Sequence, residues 1–306
     1  MKLRHARTGS TGPAPFRSRR AVLIAGFTAT ALAAATQTSA ATPETSADTG
    51  PSTLGHYAAL GDSYSSGAGI PPQTDTFCAR SGDNYPGLLA ASLPFTATTD
   101  VTCGGAETTR VAGPQGSASP QIDAVRADTD VVTVGIGGND MGIGGAVARC
   151  VLLAHLAPQG SPCKASYTLF GTDEIDARVN TTAPRIAGVL RAVRAKAPHA
   201  RIFLVGYPAI VPDDGSACRD ILPLAVGDFP WFRVKIKNFN AMLARQAAAN
   251  GATYVDTYTP STGHDACEPA GVRWIEPTDT AAGSGLHPNA AYHRSTADTL
   301  TRLLTH

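Results

Sequence analysis

Residues 57–67 read YAALGDSYSSG, a short apolar run that passes into Gly-Asp-Ser and then into a turn rich in serine and glycine. The apolar run predicts a buried strand of a parallel sheet, and the polar cluster predicts the loop that leaves it. Ser63 therefore stands at the carboxyl end of a strand, where open α/β sheets place their ligand crevice. A serine hydroxyl is a weak nucleophile until a base removes its proton, so the rest of the chain must supply that base.

Strands alternate with helical segments along the rest of the chain. The alternation predicts one α/β domain over residues 56–306, a central parallel sheet with helices on both faces. Residues 161–171 are expected to form a loop, and Pro184 is expected to interrupt the helix that contains it. Further strands are predicted at 100–103, 130–136, 201–208 and 252–256, and helices at 85–93, 173–196, 230–249 and 288–304.

The charge of the chain excludes some classes of partner. The 306 residues carry a net charge of +1, and only 16% of them are charged. This leaves no basic footprint for nucleic acid and no acidic surface for a basic partner. Apolar residues make up 43% of the sequence, which is enough for a globular core.

The N-terminal 40 residues read as an export signal rather than as part of the domain. Several arginines are followed by an uncharged apolar run at 21–35 and by small residues at 38–40, the pattern that signal peptidase recognises. The apolar run is short for a membrane span, although a membrane anchor is the alternative interpretation. Ser18-Arg19-Arg20 partly matches a twin-arginine signal, with Sec export as the other route. Residues 41–55 are expected to be a disordered leader, and the protein to be secreted without stable membrane insertion.

Six cysteines follow, an even number that suits three disulfides in an exported protein. Six cysteines allow fifteen pairings, and the sequence alone does not choose among them. Pairing neighbours in order closes the smallest loops and is the arrangement we predict. A zinc site is the alternative, but the chain contains no Cys-x-x-Cys pair, so no metal is expected. The predicted pairs are Cys78 with Cys103, Cys150 with Cys163, and Cys218 with Cys267.

Four short motifs lie just after predicted strands or just before predicted helices. Loops at these places converge at the carboxyl edge of a parallel sheet, so we expect the motifs to lie close together. They are Gly-Asp-Ser with Ser63, Gly104-Gly105, Gly-Gly-Asn-Asp with Asn139, and Leu-His-Pro-Asn with His287.

These motifs, in this order, resemble the sequence blocks of the SGNH or GDSL hydrolase family, and in particular its secreted, disulfide-bonded actinomycete esterases and lipases. The likeness covers roughly residues 56–306. It implies a flavodoxin-like three-layer α/β/α fold with a central parallel sheet. It also implies hydrolysis of carboxylic esters, with a small-molecule or lipid ester as substrate. No cofactor is expected, and the protein is expected to be a monomer.

The resemblance also implies a role for each motif. Ser63 would attack the ester carbonyl, and His287 would take its proton and return it to the leaving alcohol. The oxyanion would be met by the backbone N–H of Ser63, the backbone N–H of Gly105 and the side-chain amide of Asn139. Asp62 adjoins the nucleophile and is expected to have a structural, hydrogen-bonding role.

One position departs from the family pattern. Most members carry an acid three residues before the histidine, and here that position is Ser284. We therefore predict a dyad of Ser63 and His287, with the backbone carbonyl of Ser284 orienting the imidazole. The alternative is a triad in which Asp279 folds back to His287. A second histidine, His293 in the closing helix, is expected at the surface.

Other functions use the same motifs. A polysaccharide deacetylase or a phospholipase would share the machinery and differ in the shape of its pocket. A secreted binding protein on the same scaffold would need none of it, so intact residues at all of these positions argue against that function.

Overall fold

The computed structural model describes residues 53–306, and the predicted export signal and most of the predicted leader lie outside this part. The first strand begins at Leu54, so the leader was predicted to extend too far along the chain. Leu54 already pairs with Phe95, which gives the first residues of the strand a neighbour to bond with. The strands are β1 (Leu54–Gly61), β2 (Gln73–Asp75), β3 (Arg80–Ser81), β4 (Phe95–Asp100), β5 (Thr129–Gly135), β6 (Arg201–Val205) and β7 (Thr253–Val255).

Five strands form one parallel sheet in the order β4-β1-β5-β6-β7, while β2 and β3 form a separate antiparallel pair. Counted along the chain, the order of the five is 2-1-3-4-5, which is that of the flavodoxin-like fold. The predicted fold class is therefore confirmed. The chain leaves β1 toward β4 on one side and returns to β5 on the other, so the crevice of the sheet opens where β1 and β5 end.

Helices cover both faces of this sheet because its strands alternate two sets of apolar side chains. Leu60, Val134 and Leu204 point into the core shared with α7 (Glu174–Lys196) and α8 (Asp228–Ala249). Tyr57 and Phe203 point into a second core, shared with α2 (Tyr85–Ser92) and α9 (Ala290–Thr305). The helices are α1 (Ser63–Ser66), α2 (Tyr85–Ser92), α3 (Thr109–Ala112), α4 (Gly138–Met141), α5 (Ile143–Ala154), α6 (Pro162–Tyr167), α7 (Glu174–Lys196), α8 (Asp228–Ala249) and α9 (Ala290–Thr305).

Helix α7 continues through Pro184, so the predicted interruption is wrong. A proline inside a helix costs about 3 kcal/mol, since it removes one backbone hydrogen bond and crowds the preceding turn. Ile175, Ile186 and Leu190 lie on one buried stripe on both sides of the proline, and their burial holds the two halves in line. Asp173 caps the start by accepting from the backbone N–H groups of Ile175 and Asp176.

Two further predictions are corrected by the structure. The second strand of the sheet is β4, which ends at residue 100, whereas a strand had been predicted at 100–103. Its FTATTD sequence is rich in threonine and suits an edge strand, whose partly exposed surface tolerates polar side chains. The expected loop at 161–171 contains α6, which begins at Pro162, a residue whose fixed φ suits a helix start.

The cysteines pair in order along the chain, as predicted from loop size: Cys78 with Cys103, Cys150 with Cys163, and Cys218 with Cys267. Within residues 53–306, no helix combines the length and the hydropathy that crossing a bilayer requires.

Candidate active site

Ser63 is the first residue of α1, immediately after β1. A side chain at Gly61 would place its Cβ 2.7 Å from the carbonyl oxygen of Gly135, so only glycine fits at the end of the strand. Asp62 then caps α1, because its Oδ1 accepts from the backbone N–H of Tyr64 at 2.9 Å. This sharp turn brings Ser63 to the carboxyl end of the sheet. As the opening residue of a helix, its N–H has no intrahelical acceptor.

His287 approaches from the other end of the chain, in the segment between β7 and α9. Ile275 and Pro288 form an isolated antiparallel bridge, and Asn289 caps α9. The imidazole Nε2 lies 2.9 Å from the hydroxyl oxygen of Ser63, although the two residues are 224 positions apart. The structure therefore brings the predicted nucleophile and the predicted base into hydrogen-bond contact.

The other ring nitrogen identifies the tautomer. Nδ1 lies 2.8 Å from the carbonyl oxygen of Gly285, which can only accept a hydrogen bond. Nδ1 must therefore carry the proton, which leaves the lone pair of Nε2 facing the Ser63 hydroxyl. The Ser284 hydroxyl is a second neighbour of Nδ1, at 3.2 Å.

The carbonyl that faces the ring is that of Gly285, so the prediction for the Ser284 carbonyl is wrong. The Ser284 carbonyl instead accepts from the backbone N–H of His287, at 3.1 Å. That bond closes a turn over residues 284–287 and directs the Ser284 carbonyl away from the imidazole. Asp279, the alternative partner, is not among the hydrogen-bond partners of the ring.

Burial lowers the pKa of His287 below its usual value, and the hydrogen bond to Gly285 opposes that shift. An imidazole with a lowered pKa is neutral near pH 7. This is the protonation state in which it can accept a proton from the serine.

Asn139 lies in α4, the short helix that follows β5, and it lines the same cavity as Ser63 and His287. Its Nδ2 donates to the carbonyl of Ala106 at 2.9 Å. An amide nitrogen has two hydrogens, so one N–H remains available while the other fixes the orientation of the side chain.

Gly105 occupies the turn that precedes Ala106, with a φ of +74° that favours glycine. Within residues 53–306 its backbone N–H donates to no acceptor. Gly105 is not among the residues that line the cavity around Ser63 and His287, so its contact with that space is less direct than that of Asn139. The two are linked through Ala106, whose carbonyl holds the Asn139 amide.

The residues behind Ser63 form a buried hydrogen-bond network. The Tyr207 hydroxyl donates to Oδ2 of Asp62 and accepts from the backbone N–H of Gly138, at 2.9 Å for the second bond. Burial raises the pKa of Asp62 to about 7, against the hydrogen bonds from Tyr207 and from the backbone of Tyr64. The network thus joins the turn after β1 to the turn after β5. Sequence reasoning assigned Asp62 a hydrogen-bonding role but did not find Tyr207, whose sequence position shows only a strand end.

A cavity of about 250 Å³ opens over these groups. Its polar floor carries Ser63, Asn139 and His287, and its wall carries Ile143, Val147 and Leu286. Val147 and Leu286 also line a smaller neighbouring pocket whose other walls are mostly apolar. The cavity can therefore hold a polar reacting group beside an apolar substituent. Among the described residues, no three His, Cys, Asp or Glu side chains are grouped closely enough to hold a metal ion.

Comparison with known proteins gives a consistent set of matches. The model of the GDSL-like lipase/acylhydrolase family matches residues 59–294. Lipase 2 of Streptomyces coelicolor is 43% identical over 253 residues, which cover 79% of this chain and 83% of that protein. The crystal structure of phospholipase A1 from Streptomyces albidoflavus aligns with a TM-score of 0.70 at 30% identity, covering 82% of this chain and 99% of the other. The extracellular lipase from Streptomyces rimosus aligns with a TM-score of 0.68 at 28% identity, covering 81% and 99%.

Proposed function

Because the chain belongs to the GDSL-like lipase/acylhydrolase family and is a carboxylic ester hydrolase, we propose that it cleaves lipid or simple acyl esters through an acyl-enzyme on Ser63. The observation that carries this proposal is the 2.9 Å contact between the Ser63 hydroxyl and Nε2 of His287. A neutral imidazole in hydrogen-bond contact with a hydroxyl is the arrangement that activates a serine nucleophile.

The first half of the reaction forms the acyl-enzyme. Nε2 of His287 takes the hydroxyl proton while Oγ of Ser63 bonds to the ester carbonyl carbon, and the carbonyl electron pair moves onto oxygen. The N–H of Ser63, the amide of Asn139 and the N–H of Gly105 are the proposed donors to that oxyanion. The loss of one such donor typically costs about 3 kcal/mol of barrier. The carbon–oxygen bond to the alcohol then breaks, and His287 protonates the leaving oxygen.

Water completes the cycle. His287 takes a proton from a water molecule that attacks the acyl carbon, and it returns that proton to Oγ as the acid leaves. During both steps the imidazolium is stabilised by the Gly285 carbonyl, 2.8 Å from Nδ1, rather than by a carboxylate. Ser63 and His287 would then act as a dyad.

The walls of the cavity favour an acyl chain over a sugar. Ile143, Val147 and Leu286 offer apolar surface, whereas a polysaccharide would need several hydrogen-bond partners around the reacting ester. The relatives named lipase and phospholipase A1 support the same substrate class. Deacetylation of polysaccharides and non-catalytic binding are the alternatives that the test below separates.

Secretion belongs to the same proposal. Three disulfides in residues 53–306 suit an oxidising compartment, and the first 40 residues carry the pattern of an export signal. Mass spectrometry of protein recovered from the culture medium of an actinomycete host should find a mature N-terminus near residue 41.

The function is tested with p-nitrophenyl esters from acetate to palmitate, with dispersed phosphatidylcholine and with acetylated xylan. Turnover of the acyl esters should fall by several orders of magnitude in Ser63→Ala. Release of acetate from xylan in preference to the other substrates would support the deacetylase alternative. If the folded protein cleaves none of these in a Ser63-dependent manner, the enzymatic proposal is wrong.

A further inference from the structure

Helices α5 and α6 follow one another in the chain and pack together at the edge of the candidate site. The Cys150–Cys163 disulfide joins them, and the Arg149 guanidinium donates to the carbonyl of Ser166 at 3.0 Å. We refer to residues 143–170 as the α5–α6 hairpin. One disulfide and one charged hydrogen bond within so short a segment make its surface rigid.

This hairpin exposes large apolar side chains. Of the seven large hydrophobic residues that are exposed in residues 53–306, four lie here. The exposed fractions are 70% for Leu152, 79% for Leu156, 71% for Leu169 and 87% for Phe170. Isolated exposed leucines are ordinary, but a concentration of them in one short segment marks an interaction surface.

The charge of the same segment restricts what it can meet. Residues 141–172 contain no aspartate or glutamate, and their only Lys or Arg residues are Arg149 and Lys164. Arg149 lies over the Tyr167 ring and 3.8 Å from Glu174. Lys164 is exposed and has no carboxylate within salt-bridge distance in the described part of the chain. A segment that exposes apolar side chains and carries cationic but no anionic residues of its own suits the surface of a phospholipid layer, where the headgroups carry phosphate.

The hairpin is also continuous with the candidate site. Ile143 and Val147 of α5 line the cavity over Ser63, and Cys150 and Ala154 of the same helix face the core. Leu152 lies on the remaining, outward face. A lipid surface that meets the outward face would therefore lie against the helix that forms the cavity wall.

We propose that the α5–α6 hairpin docks the protein on the surface of phospholipid aggregates and so presents the cavity to lipid acyl esters. The docking is peripheral and reversible. The catalytic consequence rests on the proposed function, whereas the binding itself does not, so the two are measured separately.

Binding is measured with the mature chain carrying Ser63→Ala, so that the lipid is not hydrolysed. Sedimentation with phosphatidylcholine vesicles, alone and with 30% phosphatidylglycerol (about a third anionic lipid), reports the partition coefficient.

Two double variants, Leu152→Ser with Leu156→Ser and Leu169→Ser with Phe170→Ser, should each lower the partition coefficient by about tenfold or more. A matched control, Phe77→Ser with Val234→Ser, removes two exposed apolar side chains elsewhere and should leave it within about twofold. Lys164→Gln should weaken binding to the anionic vesicles only.

Catalysis is measured with Ser63 intact. The hairpin variants should hydrolyse soluble p-nitrophenyl acetate at the parent rate and should lose activity on vesicles in proportion to their loss of binding. Unchanged melting temperatures exclude misfolding as the cause. The proposal is overturned if the parent does not bind vesicles, or if the hairpin and control variants bind equally. Vesicle binding without Ser63-dependent turnover of any ester would contradict the proposed function and leave the docking surface standing.

Discussion

His287 is oriented by a backbone carbonyl, so the conformation of residues 284–287 is part of the candidate site. Leu286 adopts a φ of +56°, in the left-handed region that a leucine occupies at a cost of about 1 kcal/mol. Its carbonyl accepts from the Tyr64 hydroxyl at 2.6 Å, and its N–H donates to the carbonyl of Glu276 at 2.9 Å. Tyr64, the residue after Ser63, therefore holds the loop that carries His287.

No carboxylate of residues 53–306 is among the hydrogen-bond partners of the His287 ring, so Asp279→Asn should have a small effect on kcat. We expect kcat to change by less than about threefold, whereas loss of a true triad acid costs on the order of 10⁴-fold. Steady-state kinetics with p-nitrophenyl butyrate measure the difference, with Asp298→Asn on the exposed side of α9 as the control. A loss of several orders of magnitude at Asp279 would establish a triad instead.

Tyr64 is a positioning residue under this geometry, and Tyr64→Phe tests it. Removing the hydroxyl releases the Leu286 carbonyl, and a hydrogen bond of this kind is worth about 1 kcal/mol. We expect kcat to fall by about fivefold to tenfold with little change in KM. Tyr254→Phe is the control, because the Tyr254 hydroxyl has no hydrogen-bond partner in the described chain. A purely structural role would lower the melting temperature and leave kcat unchanged.

At the scale of secondary structure, α5 and α9 each use more than one face. Helix α5 turns one face to the cavity, one to the core and one to solvent, as its glycine-rich, apolar sequence permits. Helix α9 is capped at Asn289, two residues beyond His287, and buries His293 completely against α2. The expectation that His293 lies at the surface is therefore wrong. Its Nδ1 accepts from the N–H of Tyr85, and so it ties α9 to the start of α2.

Val147 lies between the cavity and the smaller apolar pocket beside it, so its size should set the acyl length that fits. Val147→Phe should lower kcat/KM for octanoate esters by about tenfold relative to acetate, because the added ring fills space that a longer chain would use. Ala148→Phe, one position along and facing solvent, is the matched control. An unchanged chain-length profile would mean that the acyl group lies elsewhere.

The buried His293 predicts a loss of stability in acid. Burial lowers the pKa of His293 to about 3, so the folded state binds its proton far less readily than the unfolded chain does. The stability that the neutral ring allows is therefore present above about pH 6.5 and is lost as the pH falls toward 3. Between pH 7.5 and 4.5 this loss amounts to about 2–3 kcal/mol.

His293→Asn removes the titration and keeps an acceptor for the Tyr85 N–H, since Oδ1 of asparagine replaces Nδ1 of histidine. Urea unfolding at the two pH values should show a smaller acid loss in the variant by that amount. An equal loss in both proteins would mean that other groups dominate acid unfolding.

At the scale of the whole molecule, the sheet order assembles the candidate site. Strands β1 and β5 are neighbours and end at the same edge, which brings the turn of Ser63 beside that of Asn139. The last connection of the chain, from β7 to α9, passes over this edge and places His287 there. The Cys78–Cys103 and Cys218–Cys267 disulfides fasten the long segments between these elements, and Cys78–Cys103 lies directly before the Gly104-Gly105 turn.

Removal of a disulfide should destabilise the whole domain, most for the longest loop. Cys218 and Cys267 are 49 positions apart, and their replacement by alanine should lower the free energy of unfolding by about 3–4 kcal/mol. The shorter loop of Cys150 and Cys163, 13 positions apart, serves as the comparison and should cost about 1 kcal/mol less. Denaturant unfolding of both double variants measures this, and equal stability to the parent would contradict it.

Much of this organisation could be predicted from local patterns. The apolar run before Ser63 and the β-branched run at 130–136 each form a strand where predicted, because alternation and β propensity act within a few residues. The edge strand β4 was misplaced because its threonines resemble a loop until β1 lies beside them. The effect of Pro184 on the helix was overestimated because the surface against which α7 buries its apolar stripe comes from elements distant in the sequence.

The strands that carry long apolar runs, the four motifs, their order and the family they indicate were all contained in the linear chain, since each depends on residues that are adjacent or a turn apart. The contact between Ser63 and His287, the choice of Gly285 over Ser284 as the orienting carbonyl, and the burial of His293 were decided only by tertiary packing. The direction in which a side chain or a carbonyl points depends on elements that fold against it from distant parts of the sequence, and no local pattern encodes that direction.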